Sequence, residues 1–482
     1  MKTNKLQDAI GLVDDDLVVR AAKQPRKINR WGKWSAPVAA VLAVAIALGV
    51  FLGQGNPLVV SAYAVAEAQY PQSAPYPVEP TDWNDDAAQD AFSQQYKAWR
   101  EEQKQRREQG AVENALDPFF AATMAEFLQG DAGENRVYSP LNLYMALAML
   151  AETTDGESRE QILTLLGADS IGSLHKQVNA VWRANYQNDG ATTSILANSL
   201  WMNQDADYNA KTVERLAESY FASSFRGEMG SAEYNEALRD WLNAQTEGML
   251  ADAVEGVEVS PETVLALVST ICYRAKWEDE FWERETETGV FYAESGEIEC
   301  DFMHQGIFYT PYYWGERFTA AAKSLSDGGQ MWLILPDEGV ALQTLLADQE
   351  VWQFVTANGE WENRQENVLV KLAMPKFDVS GRQDLCDGLK RLGVTDCFDA
   401  SAADFSPLMD DAEGIFVSAI DHAARVAVDE EGVTAAAFTE IALAGGAAAP
   451  TDEVDFTLDR PFLFVITGIN GTPLFAGTVC EP

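Results

Sequence analysis

The stretch from residue 430 to residue 450, EEGVTAAAFTEIALAGGAAAP, alternates between two sets of side chains. Every second residue from Val433 to Leu443 is apolar or threonine, which is the spacing of one face of a β-strand. The set comprises Val433, Ala435, Ala437, Thr439, Ile441 and Leu443. Small side chains would let such a strand fit between two others, and the Gly-Ala run after it predicts a loop. Composition alone leaves an alanine-rich helix or a disordered tether open as alternatives.

From residue 113 onward, helical patterns come first along the chain and strand patterns dominate its end. Apolar residues recur at helical spacing in residues 116–128, 141–150, 158–166, 211–220, 232–244 and 385–392. Strands are predicted at residues 193–202, 262–273, 297–302, 331–335, 367–372, 416–429, 454–456, 462–466 and 474–479. Residues 178–187 fit either element. Because no βαβ rhythm and no internal repeat occurs, this order predicts the α+β class.

The N-terminal region has the pattern of a membrane anchor. Residues 1–33 carry eight Lys/Arg against four Asp/Glu, and residues 34–66 carry no charge. Residues 35–53 give 19 predominantly apolar positions, close to the roughly 20 that a spanning helix needs. We therefore predict a single-pass cell-membrane protein whose basic side is cytoplasmic and whose remainder is extracellular. The alternative is a signal peptide cleaved near Ala62-Tyr63-Ala64, which would release a secreted protein.

A linker is predicted between the anchor and the globular part. Prolines at positions 71, 75, 77 and 80 interrupt any helix. Residues 85–109 are polar, with aromatic residues at positions 92, 96 and 99, which predicts a short amphipathic helix in a solvated stalk. We divide the chain into a cytoplasmic tail (1–34), a transmembrane anchor (35–53), an extracytoplasmic linker (54–112) and a globular domain (113–482).

Composition and charge narrow the chemistry. The 482 residues are 47% hydrophobic, enough for a large core, and the net charge of −41 disfavours nucleic acid as a partner. The five cysteines and three histidines are widely spaced, without a CxxC pair or a metal-ligand cluster. No G-x-S-x-G or Walker sequence occurs. We therefore expect no metal, no cofactor and no catalytic centre, so the protein is not expected to be an enzyme.

Short motifs from residue 135 to the C-terminus resemble the serpins, a family of serine protease inhibitors. They are NRVYSPLN (135–142), WLNAQTEG (241–248), LVSTICYRAKW (267–277), LPD (335–337), MPKF (374–377), ADFS (403–406), DRPF (459–462) and LFAG (474–477). Each is weak alone, but all eight occur in the family's order. The resemblance implies a serpin fold with N-terminal helices, three β-sheets and an exposed reactive-centre loop. With the predicted anchor, the chain resembles a membrane-anchored, prokaryotic-type member.

The opening stretch resembles the hinge of inhibitory serpins, E-E-G-T-E-A-A-A. The matching residues are Glu430, Glu431, Gly432, Val433, Thr434, Ala435, Ala436 and Ala437. In that family a protease cuts the loop and forms an acyl-enzyme, and the loop then inserts as a new strand of the large sheet. The resemblance implies a monomeric suicide inhibitor that forms a covalent complex with a serine protease.

The resemblance also implies a polar cluster where the sheet opens. Its members would be Ser139, Asn142, Ser269 and His422, with Trp277 where the loop begins to enter. From the residues alone, His422 is equally a satisfied core histidine and Trp277 a core aromatic.

Counting along the loop gives the bond that the protease would cut. In the family that bond lies about fourteen residues after the hinge glycine, which places it at Gly446-Ala447. Small apolar residues fit the shallow primary pocket of an elastase-like protease, unless the Gly-Ala run serves only flexibility. The alternative function is a non-inhibitory surface or binding protein with the serpin fold. A membrane-bound hydrolase is disfavoured because nucleophile motifs are missing.

Overall fold

The computed structural model describes residues 60, 62–78, 80, 85–109, 116–131, 133–433 and 452–482. The helices in these ranges are α1 (Asp86–Gln109), α2 (Asp117–Phe127), α3 (Pro140–Thr153), α4 (Gly156–Leu166), α5 (Ile171–Asn185), α6 (Ala210–Ser219), α7 (Ala232–Gln245), α8 (Ala251–Val254), α9 (Leu342–Leu346), α10 (Gln349–Thr356) and α11 (Cys386–Arg391). The strands are β1 (Ala64–Ala66), β2 (Arg136–Tyr138), β3 (Gln187–Asn188), β4 (Thr193–Asn203), β5 (Ala222–Gly227), β6 (Leu265–Lys276), β7 (Glu287–Ala293), β8 (Gly296–Trp314), β9 (Phe318–Ser324), β10 (Gln330–Pro336), β11 (Arg364–Pro375), β12 (Phe377–Asp384), β13 (Asp421–Val428), β14 (Gly432–Val433), β15 (Asp452–Thr457), β16 (Phe462–Thr467) and β17 (Pro473–Val479). This mixture confirms the predicted α+β class.

The first of the two sheets, which we call the central sheet, has the strand order β1-β5-β4-β6-β14-β13-β12. Strand β6 pairs with β4 over ten residues, from Leu265 opposite Met202 to Arg274 opposite Thr193. On the far side, β13 pairs antiparallel with β12. The two-residue strand β14 lies between β6 and β13, so it occupies the middle of the sheet.

The second sheet has the order β15-β11-β8-β9-β10-β16-β17-β2, with β7 also paired to β8. The 19-residue strand β8 pairs with β7 at its start, with β11 in its middle and with β9 at its end. The family resemblance implies three sheets. Among the described strands there are two, because the long strand β8 joins two of the three into one continuous sheet.

Helix α3 fills the space between the sheets. Ser139 caps its first turn by accepting a hydrogen bond from the Asn142 backbone N–H, and Pro140 occupies a position where no donor is needed. Nearly all of its side chains are buried, including Leu141, Tyr144 and Met145. Since α3 packs against β6 and β17, it covers one face of the central sheet at its middle strands.

Several sequence predictions differ from the structure in detail. Residues 178–187, left open between helix and strand, mostly belong to helix α5, because Val178, Val181 and Trp182 are buried at helical spacing. The strand predicted at 416–429 is shorter, Asp421–Val428. The patterns also missed the strands β1, β3, β5, β7, β9 and β12 and the helices α8, α9 and α10.

The described part of the predicted linker packs against the globular domain. Strand β1 pairs antiparallel with β5 at the edge of the central sheet, and the Tyr70 ring stacks on Trp182 with centroids 5.6 Å apart. In α1, the buried Arg106 donates from Nε to the Ala184 carbonyl at 3.1 Å and also bonds Gln187. The boundaries at residues 54 and 112 stay a prediction, and the described residues between them contact the globular domain through Tyr70 and Arg106.

The predicted single-pass location needs correction. Within the described ranges, no helix has the length and apolar character required to cross a membrane. The prediction that the protein is held in the cell membrane is therefore wrong on this finding. The stretch 35–53 that prompted it lies outside the described residues.

Candidate functional site

The start of the predicted hinge already forms part of the central sheet. Gly432 pairs with Lys276 and Val433 with Ala275 on β6, while Val433 also pairs with Val428 on β13. Val433 is only 2% exposed. Among the described residues, β6 and β13 are joined through β14 and have no register pair with each other. The centre of the sheet is thus the place where additional strand residues would pair.

Gly432 is required by the closeness of its neighbours. A methyl group at this position would lie 2.3 Å from the Ala275 carbonyl oxygen and 2.8 Å from the Lys276 Cα. Both contacts are with backbone, which cannot move aside as a side chain can. Any larger residue would therefore push the hinge away from β6.

An ion pair fixes the chain just before β14. Glu430 Oε1 lies 2.7 Å from Lys376 Nζ and accepts a hydrogen bond from Thr286 Oγ1 at 2.8 Å. Burial disfavours the charged carboxylate, but the hydrogen bonds from Lys376 and Thr286 outweigh it and lower the pKa of Glu430. The same hydrogen bond raises the pKa of Lys376. These two contacts connect the hinge to the residue just before β7 and to the residue just after β11.

Trp277 lies directly beside the hinge. Its indole Nε1 donates to the Asp429 carbonyl at 2.9 Å, and its backbone N–H donates to the Glu431 carbonyl at 3.0 Å. The ring is 2% exposed. Trp277 is therefore a core aromatic that also contacts the start of the hinge, and its role in loop entry stays a prediction.

A buried lysine lies under the same ring. Lys323 Nζ is 5.1 Å from the Trp277 ring centroid and 4.3 Å from that of Phe281. It donates to the Asp279 carbonyl at 2.6 Å and bonds the Gln305 side chain. Burial lowers the pKa of Lys323 to about 7. This ammonium group therefore lies beside the Trp277 ring, whose indole N–H in turn contacts the chain just before the hinge.

Three members of the predicted sheet-opening cluster meet. His422 Nε2, on β13, accepts from the Ser139 backbone N–H at 3.0 Å. Ser139 Oγ donates to the Leu474 carbonyl at 2.6 Å and accepts from the Asn142 backbone N–H at 3.2 Å. Burial lowers the pKa of His422 to about 4, so the ring is neutral near pH 7. The interpretation of His422 as a satisfied core histidine therefore fits its contacts.

The other two members lie elsewhere on β6 or beyond its end. Ser269 is half-buried and faces Asn198 on β4 in the sheet register. In the described part of the chain it has no hydrogen bond to Ser139, Asn142 or His422. Trp277 lies eight residues further along the chain, roughly 25 Å away at about 3.3 Å per residue. Asn142 Oδ1 is buried without a hydrogen-bond partner among the described residues.

The rest of the predicted loop lies outside the described residues. This applies to Thr434, Ala435, Ala436 and Ala437 of the hinge and to the bond Gly446-Ala447. The chain returns at β15, which pairs parallel with β11 from Val368 opposite Asp452 to Ala373 opposite Thr457. Eighteen residues, 434–451, therefore connect the middle of one sheet to an edge of the other.

Sequence reasoning missed the partners that fix the hinge. Lys376 was present in the MPKF motif, but nothing in the sequence assigned it to Glu430, 54 residues away. Lys323 gave a stronger signal, because it is a single charge in the apolar run FTAAAKSL. A lone lysine among small apolar residues of a strand usually needs a buried partner.

Comparison with known proteins gives the family. A family model described as serpin (serine protease inhibitor) matches residues 115–482. The chain is 28% identical over 400 residues to serpin-Z2B of Oryza sativa subsp. japonica, covering 75% of this chain and 96% of that protein. It is 28% identical over 357 residues to leukocyte elastase inhibitor A of Rattus norvegicus, covering 72% and 93%.

A solved serpin structure also resembles this chain. The native state of tengpin, a thermophilic serpin, superposes with a TM-score of 0.66 at 25% identity, over 76% of this chain and 94% of that one. None of these matches supports the narrower expectation of a membrane-anchored, prokaryotic-type member. The family model covers most of the chain and the matches agree with the order of the motifs, so the chain belongs to the serpin family.

Proposed function

We propose that this serpin inhibits serine proteases by covalent trapping, with the cleaved loop inserting at the centre of the large sheet. The observation that carries the proposal is the position of Gly432 and Val433 between β6 and β13. An inhibitor of this type needs two neighbouring strands that accept a third one, and a hinge that can lead it in. The attacking serine belongs to the protease, so this protein supplies the bait and the sheet.

The register of β14 defines where the loop would insert. Val433 faces Ala275 in an antiparallel pair, so each later loop residue would face an earlier residue of β6. Continued to the start of β6, this register pairs Leu443 with Leu265. The alternating apolar set of the loop also ends at Leu443, so its length matches the strand that would receive it.

Insertion of this length has a clear energetic direction. Residues 434–443 would gain backbone hydrogen bonds worth about 1 kcal/mol each, and their inward side chains would leave water at about 0.8 kcal/mol per methylene. The total is on the order of 10 kcal/mol, which is comparable to the stability of a whole domain. That energy would be available to move and distort an attached protease.

The preferred target class is an elastase-like protease. The residues around Gly446-Ala447 are small and apolar, and no Lys or Arg lies between residues 430 and 450. Among the relatives, leukocyte elastase inhibitor A supports the same class by its name. We infer cleavage between Gly446 and Ala447.

The test is to incubate the protein with an elastase and to look for a complex that survives SDS. We expect this complex, together with a released peptide that begins near Ala447. The variant Val433→Asp should be cleaved without forming it, because a carboxylate cannot be buried between β6 and β13. Val433→Thr is the matched control and should still trap the protease, since threonine keeps the β-branched shape. Quantitative cleavage of the unmodified protein with full protease activity remaining would contradict the proposal and favour a non-inhibitory serpin.

A further inference from the structure

The stretch from residue 278 to residue 301 carries far more negative charge than its share. It contains ten acidic residues and one basic residue, Arg284, in a chain of 482 residues with net charge −41. The acidic residues are Glu278, Asp279, Glu280, Glu283, Glu285, Glu287, Glu294, Glu297, Glu299 and Asp301. Such a concentration of like charges creates a strong local negative potential, which attracts a basic partner.

The hairpin of β7 and β8 arranges part of this charge on one face. Tyr292 lies opposite Glu297, Val290 opposite Glu299 and Thr288 opposite Asp301. Residues directly opposite each other in an antiparallel pair point to the same side of the sheet, and all six are exposed. We call these six residues the hairpin face. Phe291, whose side chain points the other way, is fully buried, so the two sides are clearly distinct.

The hairpin face combines carboxylates with exposed apolar surface. Tyr292 is 53% exposed, Val290 37%, and nearby Trp282 58%. In the described part of the chain eight large hydrophobic residues are exposed, and three of them lie within residues 282–292. Glu297 and Glu299 have no ion-pair partner among the described residues, whereas Asp301 accepts a hydrogen bond from Thr288 Oγ1 at 3.3 Å. Exposed apolar and aromatic groups rimmed by polar residues are typical of a protein–protein contact surface, and carboxylates at such a rim favour a partner of opposite charge.

Both ends of the reactive loop lead to this hairpin. On the hinge side, Thr286, one residue before β7, donates to Glu430, and the Phe281 backbone N–H donates to the Glu430 carbonyl. On the far side, β15 pairs with β11, and β11 pairs with β8. A protein bound to the loop would therefore be held close to the hairpin.

We propose that the hairpin face is a second contact surface for the target protease and selects proteases whose surface around the active site is basic. This inference rests on the proposed inhibitory function and adds to it a criterion that the small residues at Gly446-Ala447 do not provide. Opposite charges would speed the encounter, and Tyr292 and Val290 would add apolar contact once the proteins meet. An acidic protease with the same cleavage preference would be repelled.

The test compares two elastase-like proteases, one with a basic and one with an acidic surface, on the full-length chain. The variant is Glu297→Gln, Glu299→Gln and Asp301→Asn together. The matched control is Glu157→Gln, Glu160→Gln and Glu214→Gln, which removes three exposed carboxylates from helices α4 and α6. The rate constant of adduct formation is measured at low and at physiological ionic strength.

With the basic protease at low salt, the hairpin variant should react roughly tenfold more slowly, and its rate should lose most of its salt dependence. The control should stay within about twofold of the unmodified protein. With the acidic protease, the hairpin variant should react faster than the unmodified protein. Equal rates for the variant and the unmodified protein, or an equal loss in the control, would overturn the inference.

A binding measurement separates this inference from the trapping mechanism. A protease whose nucleophilic serine is replaced by alanine forms only the non-covalent complex, so its affinity can be measured even if no adduct forms. Weaker binding of the basic inactive protease to the hairpin variant, but not to the control, supports the surface. Unchanged binding rejects the surface, whereas a missing adduct with the active protease rejects the proposed function.

Discussion

Two segments add strands to the same central sheet, β1 at its edge and β14 at its middle, and they are held in different ways. Strand β1 has a single neighbour, β5, and most of its support comes from side chains around it. Tyr63 packs edge-on against Tyr234 with centroids 5.0 Å apart, and further along the chain Tyr70 lies on Trp182 and Arg106 is buried.

Strand β14 has neighbours on both sides and little else. Its two residues pair with β6 and β13, and polar groups fix the chain before it, with Glu430 bound to Lys376 and Thr286. An edge strand can be added without moving its neighbours, so side-chain packing decides whether it stays. A central strand can be added only where its two neighbours are not paired with each other. The free energy it can gain comes from backbone hydrogen bonds that have not yet formed. The comparison teaches that the edge supplies stability and the middle supplies the capacity to change.

The largest effect is expected at the edge. Arg106→Met should lower the free energy of unfolding by about 3 kcal/mol, because Gln103, Gln187 and the Ala184 carbonyl lose a buried, charged partner. Denaturant unfolding measures the change. The neighbouring Arg107 is exposed, and Arg107→Met should cost less than about 0.5 kcal/mol. If both variants were equally stable, the segment would not be held by its buried arginine.

The next effect is a pH dependence of stability that comes from His422, near the middle of the sheet. The pKa of His422 on β13 is lowered to about 4 from an ordinary 6.5. Between these values the unfolded chain binds a proton that the folded protein does not. Stability should therefore be fully present above about pH 6.5 and fall by about 3 kcal/mol as the pH drops to 4. Comparing unfolding curves for the unmodified protein and His422→Gln tests this, since the variant should lose that part of the slope.

A smaller effect is expected at the anchor of β14. Glu430→Lys places a second cation beside Lys376 and removes the acceptor of Thr286, at a cost of about 2 kcal/mol. Limited proteolysis should then cut the hinge faster, while β1 stays protected from hydrogen exchange. Glu431→Lys makes the same charge change at a half-buried residue whose side chain has no such ion pair in the described part of the chain. Similar proteolysis of the two variants would show that the ion pair does not hold the hinge.

The smallest effect concerns Lys323 beneath Trp277. Because burial lowers the pKa of Lys323 to about 7 from 10.5, the folded protein releases a proton above pH 7 that the unfolded chain keeps. Stability should therefore rise by about 1 kcal/mol between pH 7 and pH 8. In Lys323→Met this rise should disappear, which unfolding curves at the two pH values can measure. An unchanged rise would assign the proton to another group.

The sequence predicted the middle of the sheet much better than its edge. The α+β class, most strands and the family followed from local periodicity and from motifs that keep their order along the chain. The hinge stays a prediction, which rests on Gly432 and on the continuous alternation of the residues after it. In contrast, Tyr63, Tyr70 and Arg106 are widely spaced, and their distant partners Tyr234, Trp182 and Ala184 lie 171, 112 and 78 positions further along the chain. No local pattern marks such docking, so this part was interpreted as a stalk.

The sheet-opening cluster shows the same limit. Ser139, Asn142 and His422 meet because a helix cap and two neighbouring strands bring them together. Ser269 was grouped with them by resemblance alone, but its register places it opposite Asn198. Which pairs form across a sheet depends on strand register, and register over such distances is not visible in a single sequence.

Because the far end of the loop is attached at β15, the position of the cut determines how long the freed segment of the loop is. A cut at Gly446-Ala447 would leave residues 447–451 attached to β15 and would free the 13 residues 434–446 that follow β14. Extended at about 3.3 Å per residue, they reach about 43 Å, which is close to the diameter of a typical small protease. Under the proposed trapping mechanism, shortening this segment by two residues would leave the captured enzyme about 7 Å nearer to its starting place, so the length of the loop would set how far the enzyme travels.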